Sequence, residues 1–206
     1  MSEDTEIDPE LLREEVAQIK DAMGLQERYP AQFQLWLVFG VAVFLAASAS
    51  QFIALRGLSG SLHAVAWWVP LGAAWLYQWW DVRDSEGTTP EAKPRIGVLW
   101  LSVFALYGVF LFALGPTLDT LSDEAGQILL FSLIVGLVGV GYLVVGEALR
   151  AYYIRRRDRW AFYIGGAWML VLAAVMPNVD VLETWGYAAF GIAYAIHALV
   201  AYLALR

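Results

Sequence analysis

Hydrophobic residues fall into six long runs separated by short polar segments. Each run has about the length, roughly 20 residues within a range of about 17 to 25, that a helix needs to cross the hydrocarbon core of a bilayer. No aspartate, glutamate, lysine or arginine lies in the interior of any run. The runs cover residues 33–55, 62–80, 96–114, 128–146, 160–176 and 185–205.

This pattern predicts an all-α, polytopic membrane protein. The predicted fold has two parts, a tail over residues 1–32 and a domain over residues 33–206 in which six transmembrane helices form three hairpins. Composition supports the membrane class, because 60% of the residues are hydrophobic, against about 45 to 50% in an ordinary soluble domain. Six buried helices in a soluble bundle would leave almost no polar face for water.

Basic residues lie almost entirely on one side of the predicted bundle. Of the 13 lysines and arginines, only Arg56 falls in a loop on the opposite side, where the later loops carry carboxylates instead. Lysine and arginine are enriched in cytoplasmic loops. We therefore expect a multi-pass protein of the plasma membrane with both termini in the cytoplasm.

The tail predicts an amphipathic helix and no cleavable signal peptide, since it is acidic and lacks an apolar core of the required length. Asp8 can cap the helix, Pro9 suits its first position, and Gly24 suits its end. Four apolar residues at spacings of four, three and four form a narrow stripe on this helix. The stripe consists of Leu12, Val16, Ile19 and Met23.

Two arrangements would bury this stripe. The helix can fold back onto the cytoplasmic ends of its own bundle or lie at the headgroup boundary, although its acidic polar face opposes adsorption to an anionic membrane. Alternatively, residues 8–24 pair with a cytoplasmic protein partner or with a second copy in a homo-oligomer.

Small residues line one face of the fourth run. Such residues let helix backbones approach closely in lipid, where packing contributes much of the association. Leu143 continues the stripe, and the run is therefore predicted to be the central packing helix. The small residues are Ser132, Gly136, Gly139 and Gly146.

A basic cluster follows the fourth run. Clusters of this kind attract anionic headgroups, although the same residues could serve only to fix the topology. Glu147 precedes Arg150 by three residues and is predicted to form a surface ion pair with it. The candidate anionic-lipid contacts are Arg150, Arg155, Arg156, Arg157 and Arg159.

Candidate chemistry inside the runs is limited to two histidines. His63 and His197 differ in predicted depth by roughly 16 Å, too far apart for one haem to bridge. The chain contains no cysteine, and no metal-ligand spacing, catalytic motif or nucleic-acid-binding surface is recognisable. We therefore expect no cofactor, no metal, no nucleic acid and no catalysis.

The charge balance suggests a halophilic source. Lys20 and Lys93 are the only lysines, and the net charge is −7. An acidic surface with few lysines remains soluble in concentrated salt.

Together these features predict a non-enzymatic regulatory, scaffold or docking protein that acts through its cytoplasmic face. The alternative is a small transporter or channel subunit, although such proteins usually place ionisable residues inside the membrane.

Overall fold

A computed structural model of the protein describes residues 15, 16, 19, 32–83, 95–118, 120–152 and 154–205. Within this part of the chain the regular elements are helical, which confirms the all-α prediction. Short 3₁₀ helices, Leu149–Tyr152 and Met176–Asn178, follow α4 and α5. The long helices are α1 (Gln32–Leu55), α2 (Ser61–Arg83), α3 (Ile96–Leu118), α4 (Asp123–Ala148), α5 (Arg156–Val175) and α6 (Asp180–Leu205).

Five helical segments of the described chain are long and apolar enough to cross a membrane. They are Gln34–Leu55, Ile96–Leu118, Asp123–Ala151, Arg156–Asn178 and Asp180–Leu205. The fold is therefore compatible with a multi-pass membrane protein.

Helix α2 is less apolar than these five segments and is not among them, although the sequence predicts a span at residues 62–80. It is long enough, with 23 residues, but it is rich in tryptophan. Tryptophan is amphipathic and favours the headgroup region over the hydrocarbon core. The run pattern thus overstated how apolar this helix is. Its tryptophans are Trp67, Trp68, Trp75, Trp79 and Trp80.

The helices extend beyond the apolar runs at several ends. Helix α4 begins five residues before its run, because the Ser122 hydroxyl accepts a hydrogen bond from the Ala125 amide at 3.3 Å. Asp123 and Glu124 lie in its first turn, where negative charge is favourable to the helix dipole. Polar capping residues therefore set the boundary here.

Helix α1 ends in a glycine-dependent turn. The amide of Leu58 donates to the Ile53 carbonyl and that of Gly57 to the Ala54 carbonyl, both at 3.1 Å. Gly57 has φ = +58°, a conformation that residues with a Cβ rarely adopt. This Schellman arrangement satisfies carbonyls at the helix end and turns the chain toward α2.

The most extensive packing occurs between α1 and α6 and between α4 and α5. Helices α4 and α5 each also contact α6, while α2 packs on α1 and α3 packs on α4. Helix α3 has no buried residue. Helix α4 thus contacts α3, α5 and α6, and α6 contacts α1, α4 and α5, so both helices lie toward the centre of the bundle.

The α1–α6 contact depends on small residues at two positions along the helices. A Cβ added to Gly40 would lie 2.7 Å from the Cβ of Ala198, and one added to Gly191 would lie 2.7 Å from the Cβ of Ala47. These pairs show that the two helices run antiparallel with their backbones close together, a geometry in which dispersion contacts are dense.

The ends of the bundle differ in charge. The basic end holds the α4–α5 connection, residues 149–155, with its arginines. The acidic end holds the α1–α2 connection, residues 56–60, together with the starts of α4 and α6. Asp123, Glu124, Asp180 and Glu183 lie in the first turns of those two helices.

Candidate functional site

The arginine cluster lies at the basic end. Arg150 belongs to the 3₁₀ helix after α4, Arg155 precedes α5, and Arg156 and Arg157 lie in the first turn of α5. These four residues are exposed, whereas Arg159 is half-buried. The cluster therefore follows the α4–α5 connection and its two adjoining helix ends.

A hydrogen-bonded network joins the end of α4 to the start of α5. Arg150 Nη1 donates to Glu147 Oε1 at 3.2 Å, which confirms the predicted ion pair. The Tyr163 hydroxyl donates to Glu147 Oε2 at 2.8 Å, and Arg159 is close enough to interact electrostatically with Glu147 and Tyr163. Glu147 thus partly compensates the charges of Arg150 and Arg159. Its contact with Tyr163 was not predicted, because the two residues are 16 positions apart.

Three residues of the tail are described, and all three are helical. Val16 is 46% exposed and Ile19 is 56% exposed. At a spacing of three they lie on one helix face. The other stripe residues, Leu12 and Met23, lie outside the described residues, as do Asp8 and Gly24.

Gly139 and Gly166 form the closest contact between α4 and α5. A Cβ on Gly139 would lie 3.0 Å from the Gly166 carbonyl oxygen, and one on Gly166 would lie 2.6 Å from the Gly139 carbonyl oxygen. A Cβ on Gly136 would lie 3.4 Å from the Cβ of Ala173. The two backbones are in direct contact at these positions.

The remaining two small residues of α4 lie toward its ends. A Cβ on Gly146 would lie 2.9 Å from Cε1 of Tyr163 on α5. Ser132 is buried, and its hydroxyl donates to the Ile128 carbonyl at 2.8 Å. Gly136, Gly139 and Gly146 therefore face α5, and Ser132 satisfies its hydroxyl within α4.

The two histidines contact different aromatic rings. His63 stacks on Tyr187 with ring centroids 5.1 Å apart. His197 lies against Trp36 at 5.5 Å and Trp168 at 6.1 Å. Among the residues that the structure describes, no group of three His, Asp or Glu side chains is placed to hold a metal ion.

The cluster around His197 is the polar centre of the core. The hydroxyls of Tyr142 and Tyr194 hydrogen-bond to each other, and the His197 ring lies beside the Tyr142 ring with centroids 6.5 Å apart. A Cβ on Gly165 would lie 2.7 Å from Tyr142 Cδ1 and 2.8 Å from His197 Nε2. Glycine at position 165 therefore allows both rings to pack against α5.

Gln51 links α1 to α6 through the backbone of α6. Its Nε2 donates to the Thr184 carbonyl at 2.7 Å, and its Oε1 accepts from the Ala188 amide at 3.0 Å. In an α-helix this carbonyl and this amide would bond to each other. Gln51 is 6% exposed. The sequence shows that this glutamine lies within an apolar run, but not that it contacts α6.

A cavity of about 590 Å³ opens at the acidic end. The α1–α2 connection forms one wall, and the first turns of α4 and α6 form the others. Its polar lining includes Asp123, Glu124, Gln127, Glu183, Thr184 and Tyr187. The sequence did not predict this cavity, because its lining comes from three separate parts of the chain.

Comparisons of the chain with models of known protein families, with curated proteins and with solved structures gave no match. Its function is therefore inferred from its own residues and their geometry.

Proposed function

We propose that the protein is a non-enzymatic docking module of the plasma membrane, which recruits a soluble protein to its cytoplasmic face. In this proposal α1 to α6 all span the bilayer as three hairpins, with the basic end and both termini in the cytoplasm. The asymmetry of basic residues along the sequence supports this orientation. The carboxylates at the starts of α4 and α6 would then lie outside.

Inclusion of α2 as a sixth span is supported by its length and its tryptophans. Its 23 residues extend about 34 Å at 1.5 Å per residue, enough for the hydrocarbon core. Trp68 near its acidic end is 77% exposed, and Trp80 near its basic end is 78% exposed. Exposed tryptophans toward both ends of a helix are typical of anchoring at two membrane interfaces.

The observation that carries the docking proposal is the exposure of Val16 and Ile19 on one face of the tail helix. An apolar pair on an otherwise acidic helix gains about 1.5 to 3 kcal/mol for each large side chain that becomes fully buried. The described arrangement leaves this pair unburied, which favours a partner over folding back onto the bundle. We propose that this partner is a soluble protein.

The test is the double variant Val16→Asp with Ile19→Asp, with Glu15→Gln as the control at an exposed position of the same helix. Proteins recovered with each variant from mild detergent are quantified by mass spectrometry. We expect the double variant to lose its specific partner at least about tenfold, since two buried carboxylates cost far more than the 1.4 kcal/mol of one tenfold step. The control should retain it.

Three results would contradict the docking proposal. Partner recovery equal to that of the parent protein would make the stripe irrelevant. A lower melting temperature of the bundle without release of any protein would indicate that the tail folds back. A smaller oligomer without release of a different protein would identify a second copy as the occupant.

The cavity at the acidic end favours one alternative, a small transporter or channel subunit for cations. Below this cavity, however, Tyr187 packs on Phe131 with ring centroids 4.2 Å apart, and Phe131 packs on Phe190 at 5.6 Å. These ring contacts join α4 to α6 beside the cavity, which argues against a path through that space. The test measures the uptake of methylammonium by proteoliposomes. Uptake by the parent protein that is lost in Glu183→Gln would support transport over docking.

A further inference from the structure

Helix α5 has a buried face and an opposite exposed apolar face. Phe162, Gly165, Gly166 and Met169 are buried. On the other side an apolar stripe remains uncovered along the whole helix. This α5 stripe consists of Trp160 (49% exposed), Ile164 (55%), Val171 (64%) and Val175 (38%).

Two arginines of the cluster continue the α5 stripe beyond Trp160. Arg156 and Arg157 precede Trp160 by four and three residues, the spacings at which side chains share a helix face. Both are exposed. Arg150 and Arg159 lie elsewhere, near Glu147 and Tyr163 where the end of α4 meets the start of α5.

We infer that Arg156, Arg157 and Trp160 form a binding surface for the phosphate group of an anionic lipid whose chains lie along the α5 stripe. This inference rests on the proposed membrane insertion and orientation. A tryptophan ring favours the headgroup level, which places the two arginines at the depth of lipid phosphates. A guanidinium group can bind phosphate oxygens through two parallel hydrogen bonds, and the exposed apolar side chains below it contact acyl chains.

The acidic tail is the competing occupant. Residues 1–31 carry far more carboxylates than basic residues, so their charge also complements the arginines. The position of Arg156 and Arg157 above an exposed apolar face favours the lipid, because in the proposed insertion the α5 stripe lies at the depth of the acyl chains, where the carboxylates of the tail are disfavoured.

The experiment compares two charge-matched double variants of the full-length protein. Arg156→Gln with Arg157→Gln removes the proposed phosphate ligands, whereas Arg150→Gln with Arg159→Gln removes the same charge from the Glu147 network. Each protein is reconstituted in nanodiscs of phosphatidylcholine with a minor share of phosphatidylglycerol. Lipids retained on the released protein are then measured by native mass spectrometry, and Trp160 quenching by brominated phosphatidylglycerol is recorded.

We expect the parent protein to retain phosphatidylglycerol preferentially. The Arg156/Arg157 variant should lose this preference by about 10- to 30-fold, as expected for two arginines near the membrane surface, and Trp160 quenching should fall with it. The Arg150/Arg159 variant should stay within about threefold of the parent. Inorganic phosphate should not displace the lipid, since it makes no contact with the stripe.

Equal losses in both variants would overturn the inference, because they would indicate diffuse attraction by net charge. Unchanged retention in both would also overturn it, and loss of a crosslink between the tail and α5 in the Arg156/Arg157 variant would then identify the tail as the occupant. Lipid selectivity is measured with the arginine variants, and partner recovery is measured separately with the Val16/Ile19 variant. The lipid inference and the docking proposal can therefore each be contradicted alone, whereas a protein that does not insert into the membrane would contradict both.

Discussion

Gln51 illustrates how a single polar residue is accommodated within an apolar helix. Its amide pairs with one acceptor and one donor on the backbone of α6, so both the nitrogen and the oxygen of this buried side chain have a partner. The interaction fixes the register of α1 against the first turns of α6, beside the cavity at the acidic end, which Thr184 also lines.

Two substitutions at this position should differ in cost. Gln51→Leu removes both hydrogen bonds, but Thr184 and Ala188 can then bond to each other, so we expect a loss of only about 1 kcal/mol. Gln51→Glu places a carboxylate against the Thr184 carbonyl and should cost about 3 kcal/mol. Thermal midpoints in detergent measure both.

The control for these substitutions is Gln34→Leu, the same chemical change at an exposed position of α1, where the glutamine accepts one exposed hydrogen bond of 3.3 Å from the Tyr77 hydroxyl. It should melt close to the parent protein. If Gln51→Glu were as stable as Gln51→Leu, the amide would not have the dual role that the geometry assigns to it.

At the scale of the helices, two glycine substitutions distinguish the effect of close helix packing from the effect of helix propensity. Gly139→Leu puts a branched side chain where the Gly166 carbonyl already lies 3.0 Å from an added Cβ, and overpacking of this kind costs about 1 to 3 kcal/mol or more. Gly108→Leu on α3 is the matched control, because an added Cβ there meets nothing within 4 Å.

We expect Gly108→Leu to be neutral or slightly stabilising, since leucine is the better helix former by several tenths of a kcal/mol. Gly139→Leu should lower the thermal midpoint and broaden the size-exclusion peak. Equal midpoints for the two variants would mean that α4 and α5 do not depend on close backbone contact.

The apolar runs were sufficient to predict the helices, because backbone groups in a bilayer must be bonded within a helix or a closed barrel. Their ends were less predictable, since capping at Ser122 extends α4 beyond its run. The glycine face of α4 was visible as a stripe, but Gly40 and Gly191 on the α1–α6 contact were not. A single chain does not indicate which of several glycine-containing faces meets which neighbour.

The surroundings of the arginines were also not predictable from the sequence. The sequence predicted one cluster of five arginines, whereas the structure places two of them near Glu147, two on the exposed face of α5 and Arg155 just before α5. That division depends on the rotation of α5 about its axis, which is set by packing of Phe162, Gly165 and Gly166. Proximity along the chain carries no such information.

For the whole molecule, the acidic charge predicts a response to salt. With a net charge of −7, repulsion between carboxylates destabilises the folded protein at low ionic strength. The Debye length shortens from about 10 Å at 0.1 M to about 3 Å at 1 M salt. We expect the thermal midpoint to rise as KCl increases into this range, and a falling midpoint would contradict a halophilic origin.

The central claim is that the bundle spans the membrane with its basic end in the cytoplasm, and cysteine labelling tests it most directly. The chain contains no cysteine, so each introduced cysteine reports one position. In sealed cells an impermeant maleimide should label Ser122→Cys and Asn178→Cys, at the acidic end, and should label Thr88→Cys only after permeabilisation. Labelling of Thr88→Cys in sealed cells, with protection of the other two, would contradict the proposed orientation and with it the cytoplasmic docking face.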